Sequence, residues 1–191
     1  TCALPICRRE LAPFSDLDVL LVHSRREVSS DFVNSLWYPL WDQGFKVGHA
    51  VRTPKQTLAM IRDDMDTATA LVTARVVAGD VEFGSTVIKK CRGQLRRAGR
   101  RWVRDLHMRV LQRHQEFGEV AFLLEPNLKE GLGGLRDIHA LWWANAVGFA
   151  LTDADLRVLD ECNRVLMRVR HALHRTQTGA GHNAGILPVS Q

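Results

Sequence analysis

The spacing of apolar positions changes character partway along the chain. Leu17–His23 is a short apolar run, Val19-Leu20-Leu21-Val22, entered through Asp16 and Asp18 on either side of Leu17, and this predicts a buried strand. Ser30–Asp42 places Phe32, Val33, Leu36, Trp37, Leu40 and Trp41 at helical spacing, with Ser29 or Ser30 as N-cap and Gly44 as the stop. Phe45–Val51 alternates as a second strand. Thr53-Pro54 then predicts a helix with Thr as N-cap and Pro at its first position, its apolar face continuing through Leu58, Ile61 and Met65. From Asp66 the strand signal nearly disappears. Ala68–Ala78, Val87–Arg113, Gly134–Val147 and Asp153–Thr176 predict helices, the last capped by Thr152 or Asp153, and Glu119–Leu124 is a brief apolar stretch of either type.

The expected class is therefore α+β: a strand–helix–strand–helix core over about residues 8–78, a mostly helical region over 79–178, and a boundary near Gly79–Asp80. Residues 179–191 are weakly patterned and expected to be frayed or truncated. The 191 residues suffice to bury a real core, and 46% apolar with 25% charged residues is the composition of a globular protein. No apolar run approaches the ~20 residues that cross a bilayer, so the chain is expected in the cytoplasm, with no membrane partner. The four cysteines, Cys2, Cys7, Cys91 and Cys162, lack metal-site spacing and read as free thiols of a reducing compartment. The formal net charge of +5, mostly from arginine, favours an anionic partner without choosing one.

Two stretches carry candidate chemistry. In Ser15-Asp16-Leu17-Asp18, residues i and i+2 of a strand point the same way, so Asp16 and Asp18 present two carboxylates on one face. Paired carboxylates repel, and a divalent cation resolves the repulsion while keeping coordination positions for water and phosphate oxygens. An ordinary polar loop entering a strand is the plainer alternative. In Lys129-Glu130-Gly131-Leu132-Gly133-Gly134-Leu135-Arg136-Asp137, three glycines precede a helix, with Lys129 and Arg136 adding cations. That combination suits a phosphate held at a helix N-terminus. It suits equally a tight turn into a core-packing helix, with Arg136 and Asp137 solvated or paired with other side chains.

The string Arg9-Glu10-Leu11-Ala12-Pro13-Phe14-Ser15-Asp16-Leu17-Asp18 resembles the nucleotidyltransferases of the DNA polymerase β superfamily. Taken with "LWYPLWDQGFKVGHAVRT", "TALVTARVVAGD" and "FGEVAFLLEPNLKEGLGGLRDIHALWWA", the chain resembles the protein-PII uridylyltransferase family of bacterial nitrogen sensors over roughly residues 8–175. The glutamine synthetase adenylyltransferases are a weaker likeness. The resemblance implies a truncated polymerase β-like core and transfer of UMP from UTP to a tyrosine of the signalling protein PII, with release of pyrophosphate. It implies Asp16 and Asp18 as catalytic residues holding Mg²⁺ or Mn²⁺. It implies Ser15, Lys129, Gly133, Gly134 and Arg136 as nucleotide-binding residues.

Departures from the family pattern set further expectations. Leu4-Pro5-Ile6-Cys7 stands where the family has a glycine-rich turn. Ala3-Leu4-Pro5-Ile6 is also the translation of a reversed sequencing adapter, so residues 1–7 are expected to be non-native. The strand Phe45–Val51 lacks the third carboxylate common in the superfamily. His49 is there instead, more plausibly structural than catalytic, and Asp42, Asp64 and Asp66 are the substitutes. The family's long members add an HD hydrolase domain and two ACT domains. This chain has no His-Asp dipeptide, and neither deuridylylation nor glutamine sensing is expected of it. Three other readings stand beside UMP transfer: adenylyl transfer to PII or to glutamine synthetase, a non-catalytic PII-binding fragment with a degenerate phosphate turn, and nucleic-acid binding through the basic run Lys89–Asp105. For that run a solvated helix face is the plainer reading, so nucleic acid is not expected as a partner. Trp37, Trp41, Trp142 and Trp143 are expected in the core, and His107, His114, His171 and His174 on surfaces or at helix packing.

Overall fold

A computed structural model of the chain describes residues 2–3, 16–24, 27–122, 124 and 127–179, and the fold is mixed, with a small sheet and mostly helix. It divides into two units, residues 1–97 and 98–191.

The first unit holds a three-stranded sheet in the order β1 (Cys2–Ala3), β2 (Leu17–Val22), β3 (Val47–Arg52). β1 runs antiparallel to β2, and β2 and β3 are parallel, with Leu17 opposite Val47 and Val22 opposite Arg52. The parallel pair is joined through α1 (Ser30–Asp42), whose first turn is capped by the Ser29 hydroxyl accepting the Phe32 N–H at 3.3 Å. Trp37 of α1 is buried. Trp41, expected in the core, is 37% exposed and lies edge-on to His49 instead.

α2 (Pro54–Asp63) begins as the sequence predicts. Thr53 and Gln56 form a reciprocal capping box, and Pro54 occupies the first turn, where its missing N–H costs nothing. The predicted continuation through Met65 is interrupted. The Asp64 carboxylate accepts the backbone N–H groups of Asp66 and Thr67 and starts a separate helix, α3 (Met65–Thr73). α3 also ends earlier than the expected Ala78. Arg92 reaches back from α4 (Val81–Phe117) and donates to the carbonyls of Val72 at 2.8 Å and Ala74 at 3.2 Å, satisfying the helix end.

The first turns of α4 explain why the units part at Arg97–Ala98 and not at Gly79–Asp80. Val87, Ile88, Cys91 and Leu95 are buried and complete the core begun by Ile61, Ala68, Leu71 and Val72. Burial without a charged partner pushes the Cys91 thiol up to about 11, so it stays protonated and acts as a small apolar side chain. α4 breaks at Gly99, whose φ of 47° and ψ of −121° are not helical.

The second unit contains the end of α4, α5 (Leu135–Ala146) and α6 (Asp153–Gly179), with α5 packed on α6. Trp102, Leu106, Leu135, Ile138, Trp143, Val147 and Met167 form its core. Thr152 and Asp155 cap α6 reciprocally, the Thr152 hydroxyl and N–H holding the Asp155 carboxyl below the usual range. In the short apolar stretch after Glu119, residues 120–122 form a turn beside a parallel bridge between Glu119 and Leu132. Among the described residues no helix is long and apolar enough to cross a membrane.

Candidate active site

Asp16 and Asp18 are exposed on either side of buried Leu17, as strand alternation requires. Opposite Asp18, β3 carries Gly48. A Cβ placed on Gly48 would stand 2.6 Å from Asp18 Oδ1, so the Asp18 carboxylate lies over bare backbone. Alternation sends the next β3 residue, His49, to the opposite face. There its ring is 5.3 Å from both the Trp37 and Trp41 rings, a packing role on the α1 side of the sheet.

β3 itself has no acid, and the Asp64 carboxylate is engaged in capping α3. Asp42 ends α1 and Asp66 sits in the first turn of α3. Ser15 lies outside the described residues. Among the described residues no group of three or more His, Cys, Asp or Glu side chains gathers as a ready metal cage. The exposed carboxylates of Asp16 and Asp18, the latter over the open backbone of Gly48, are nevertheless the donor type that Mg²⁺ or Mn²⁺ takes alongside water and phosphate oxygens.

In the second unit the glycine-rich turn is built almost wholly from its own backbone. The Asn127 side chain accepts the N–H groups of Lys129 at 3.1 Å and Glu130 at 2.9 Å, folding the chain back. The N–H groups of Leu135 and Arg136 donate to the carbonyls of Leu128 and Lys129, and the Gly133 N–H donates to Asp137 Oδ2 at 2.7 Å. The first N–H groups of α5 are thus already paired inside the turn. The cationic side chains of the turn are Lys129 and Arg136.

The glycines are needed by this geometry. A Cβ at Gly134 would stand 2.8 Å from the carbonyl oxygens of both Gly131 and Leu128, and Gly133 has a φ of 82°. Because the obstructing atoms are backbone, Gly134→Ala is expected to destabilise the second unit by about 1–3 kcal/mol. A lower urea midpoint with an unchanged slope is the result that shows it.

A half-buried ionic network surrounds the turn, and sequence reasoning missed most of it. Asp137 Oδ1 receives Arg113 Nη2 and lies 2.8 Å from His114 Nε2. Glu130 is approached by Arg136 Nε at 3.4 Å, Lys129 Nζ at 3.5 Å and Arg113 Nη1 at 3.9 Å. The Arg136 guanidinium also stands 5.9 Å from the Trp143 ring centroid. Among the described residues, Arg113, Lys129 and Arg136 thus pair with Glu130 and Asp137. Burial, with Arg136 and Arg170 nearby and Glu130 opposing them, holds the Lys129 ammonium below its ordinary 10.5.

A lysine whose folded value is depressed costs stability while it is protonated. That cost fades as pH rises from its folded value towards 10.5. Lys129→Met should therefore melt higher than the parent at pH 7, with the gap closing as pH approaches 10.5 in a melting series.

In the basic run, Arg92 is spent on α3, and the helix breaks at Gly99, while Lys89, Lys90, Arg97, Arg100, Arg101 and Arg104 are exposed.

The family model described as GlnD PII-uridylyltransferase matches residues 101–183. A protein of Mycobacterium tuberculosis is 37% identical over 184 residues, covering 92% of this chain and 23% of the relative. One of Streptomyces coelicolor is 39% identical over 170 residues, covering 87% and 20%. One of Corynebacterium glutamicum is 34% identical over 176 residues, covering 88% and 24%. All three are named bifunctional uridylyltransferase/uridylyl-removing enzyme, and the chain spans about a quarter of their length or less. No solved structure matches. The family model and relatives of this name aligned along nearly the whole chain place it in the protein-PII uridylyltransferase family, a family of enzymes.

Proposed function

We propose that this chain is the nucleotidyltransferase part of a PII-modifying enzyme, built on a truncated polymerase β-like core, and that it transfers UMP from UTP to a tyrosine of PII. The tyrosine oxygen attacks the α-phosphorus and a P–O–tyrosine bond forms. The bond from that phosphorus to the β-phosphate oxygen breaks, pyrophosphate leaves, and the hydroxyl gives up its proton.

The observation that carries this reading is the exposure of two acids, Asp16 just before β2 and Asp18 within it, with the side chain missing at Gly48 opposite Asp18. These carboxylates would hold Mg²⁺ or Mn²⁺, which supplies neutralisation of the triphosphate when bound. Ser15 is the hydroxyl that this reading assigns to phosphate contact. Lys129 and Arg136 contribute cations for phosphate oxygens, and Gly133 and Gly134 shape the turn that presents them.

Pyrophosphate release tests the proposal. Release is expected only when the chain, UTP, Mg²⁺ and PII are all present. Release that is independent of PII contradicts the assigned acceptor, and release with ATP but not UTP contradicts the assigned nucleotide.

A further inference from the structure

We infer that Gly48 is a positioning residue for the acid pair: the absence of a side chain there is what lets the Asp18 carboxylate stand beside Asp16 in a metal-holding arrangement. The inference rests on the reading of Asp16 and Asp18 as metal ligands. Three observations combine in it. Asp18 and Gly48 are direct partners in the parallel register of β2 and β3. A Cβ at Gly48 would fall 2.6 Å from Asp18 Oδ1, where ordinary contact begins at 3.4 Å, so Oδ1 would have to move by most of an ångström. Gly48 is also exposed, so among the described residues no tightly packed core neighbour accounts for the glycine.

Backbone conformation does not demand glycine here either. Gly48 is not among the positive-φ glycines, and it lies inside a regular strand, where glycine is normally unfavourable. What remains is the occupied space. Asp has one short side chain, and the strand fixes its Cα, so Oδ1 yields only by rotation. That rotation carries it away from its present place over β3 and changes its relation to Asp16. Displacements of about 1 Å in a catalytic constellation cost on the order of 10²-fold.

The test is Mn²⁺ titration of the chain, followed by the loss of the free-ion electron paramagnetic resonance signal, in the parent, Gly48→Ala and Ala50→Ser. Ala50 sits two residues further along the same strand face, opposite Leu20, and controls for a generic change on β3. Gly48→Ala is expected to weaken Mn²⁺ binding at least about 10-fold while melting within a few degrees of the parent, with Ala50→Ser unchanged. In metal-free samples the Asp18 side-chain carboxyl ¹³C resonance should shift in Gly48→Ala and stay in place in Ala50→Ser. Equal Mn²⁺ affinity in parent and Gly48→Ala overturns the inference and leaves the acid pair standing as ligands. A parent that holds no Mn²⁺ overturns the metal reading and the inference with it. An unmoved Asp18 resonance overturns the inference whatever the metal does.

Discussion

Replacing Asp16 and Asp18 together by asparagine is expected to lower the rate of UMP transfer by about 10³-fold or more while leaving the protein folded. Asparagine keeps the size and the strand geometry and removes only the charge. If the pair holds a divalent cation, its loss removes several kcal/mol of stabilisation of the charge that moves through the triphosphate, of the order lost when a dedicated electrostatic group is deleted. Both side chains are exposed, so the core should not notice. Without metal, the double variant should melt at or slightly above the parent, because two like charges on one strand face are gone. Initial rates over a range of Mg²⁺ concentrations check this, with unfolding curves beside them. A protein that loses activity and stability together would assign the acids to the fold instead.

The second large effect is structural. Asp137→Ala is expected to destabilise the second unit by about 2–3 kcal/mol, the scale of hydrogen bonds to a charged group. Its carboxylate binds the Arg113 guanidinium, the His114 ring and the Gly133 N–H, and side chains on this network are only 13–20% exposed. Its removal leaves a half-buried Arg113 whose Nη1 stands 3.9 Å from Glu130. For a unit of this size the loss corresponds to a melting temperature lower by roughly 10 °C or more. Asp137→Asn, which retains one oxygen, should lose less. A double-mutant cycle with Arg113→Met should return a coupling above about 1 kcal/mol. Additive losses in that cycle would mean that the ion pair is incidental.

What could be read from the sequence follows how local each feature is. The two parallel strands and the helix between them were legible from apolar spacing. So were the caps at Ser29, Thr53 and Thr152, because a cap and the groups it satisfies lie within three residues. The acid pair was legible for the same reason, since alternation along one strand fixes its shared face. The early end of α3 was not, because the group that satisfies it is Arg92, twenty residues from Val72. The network at Asp137 was only half legible. Asp137 could be read as paired or solvated, but its partners Arg113 and His114 lie more than twenty residues upstream, in a helix whose polar face looked ordinary.

The glycines divide in the same way. Gly133 and Gly134 announced a special turn, but their steric reason, carbonyls of Gly131 and Leu128 closing on the Cβ position, needed the folded backbone. Gly48 gave no signal in a run that reads as a plain strand. Its reason became visible only when the register set it against Asp18.

The most direct measurement is the intact mass of PII after incubation with the chain, UTP and Mg²⁺, followed by mapping of the modified residue. The account predicts the addition of UMP on a tyrosine, absent when Mg²⁺ is omitted and absent with the Asp16→Asn, Asp18→Asn variant. Unmodified PII with the folded parent chain would contradict it, as would modification that persists in the double variant.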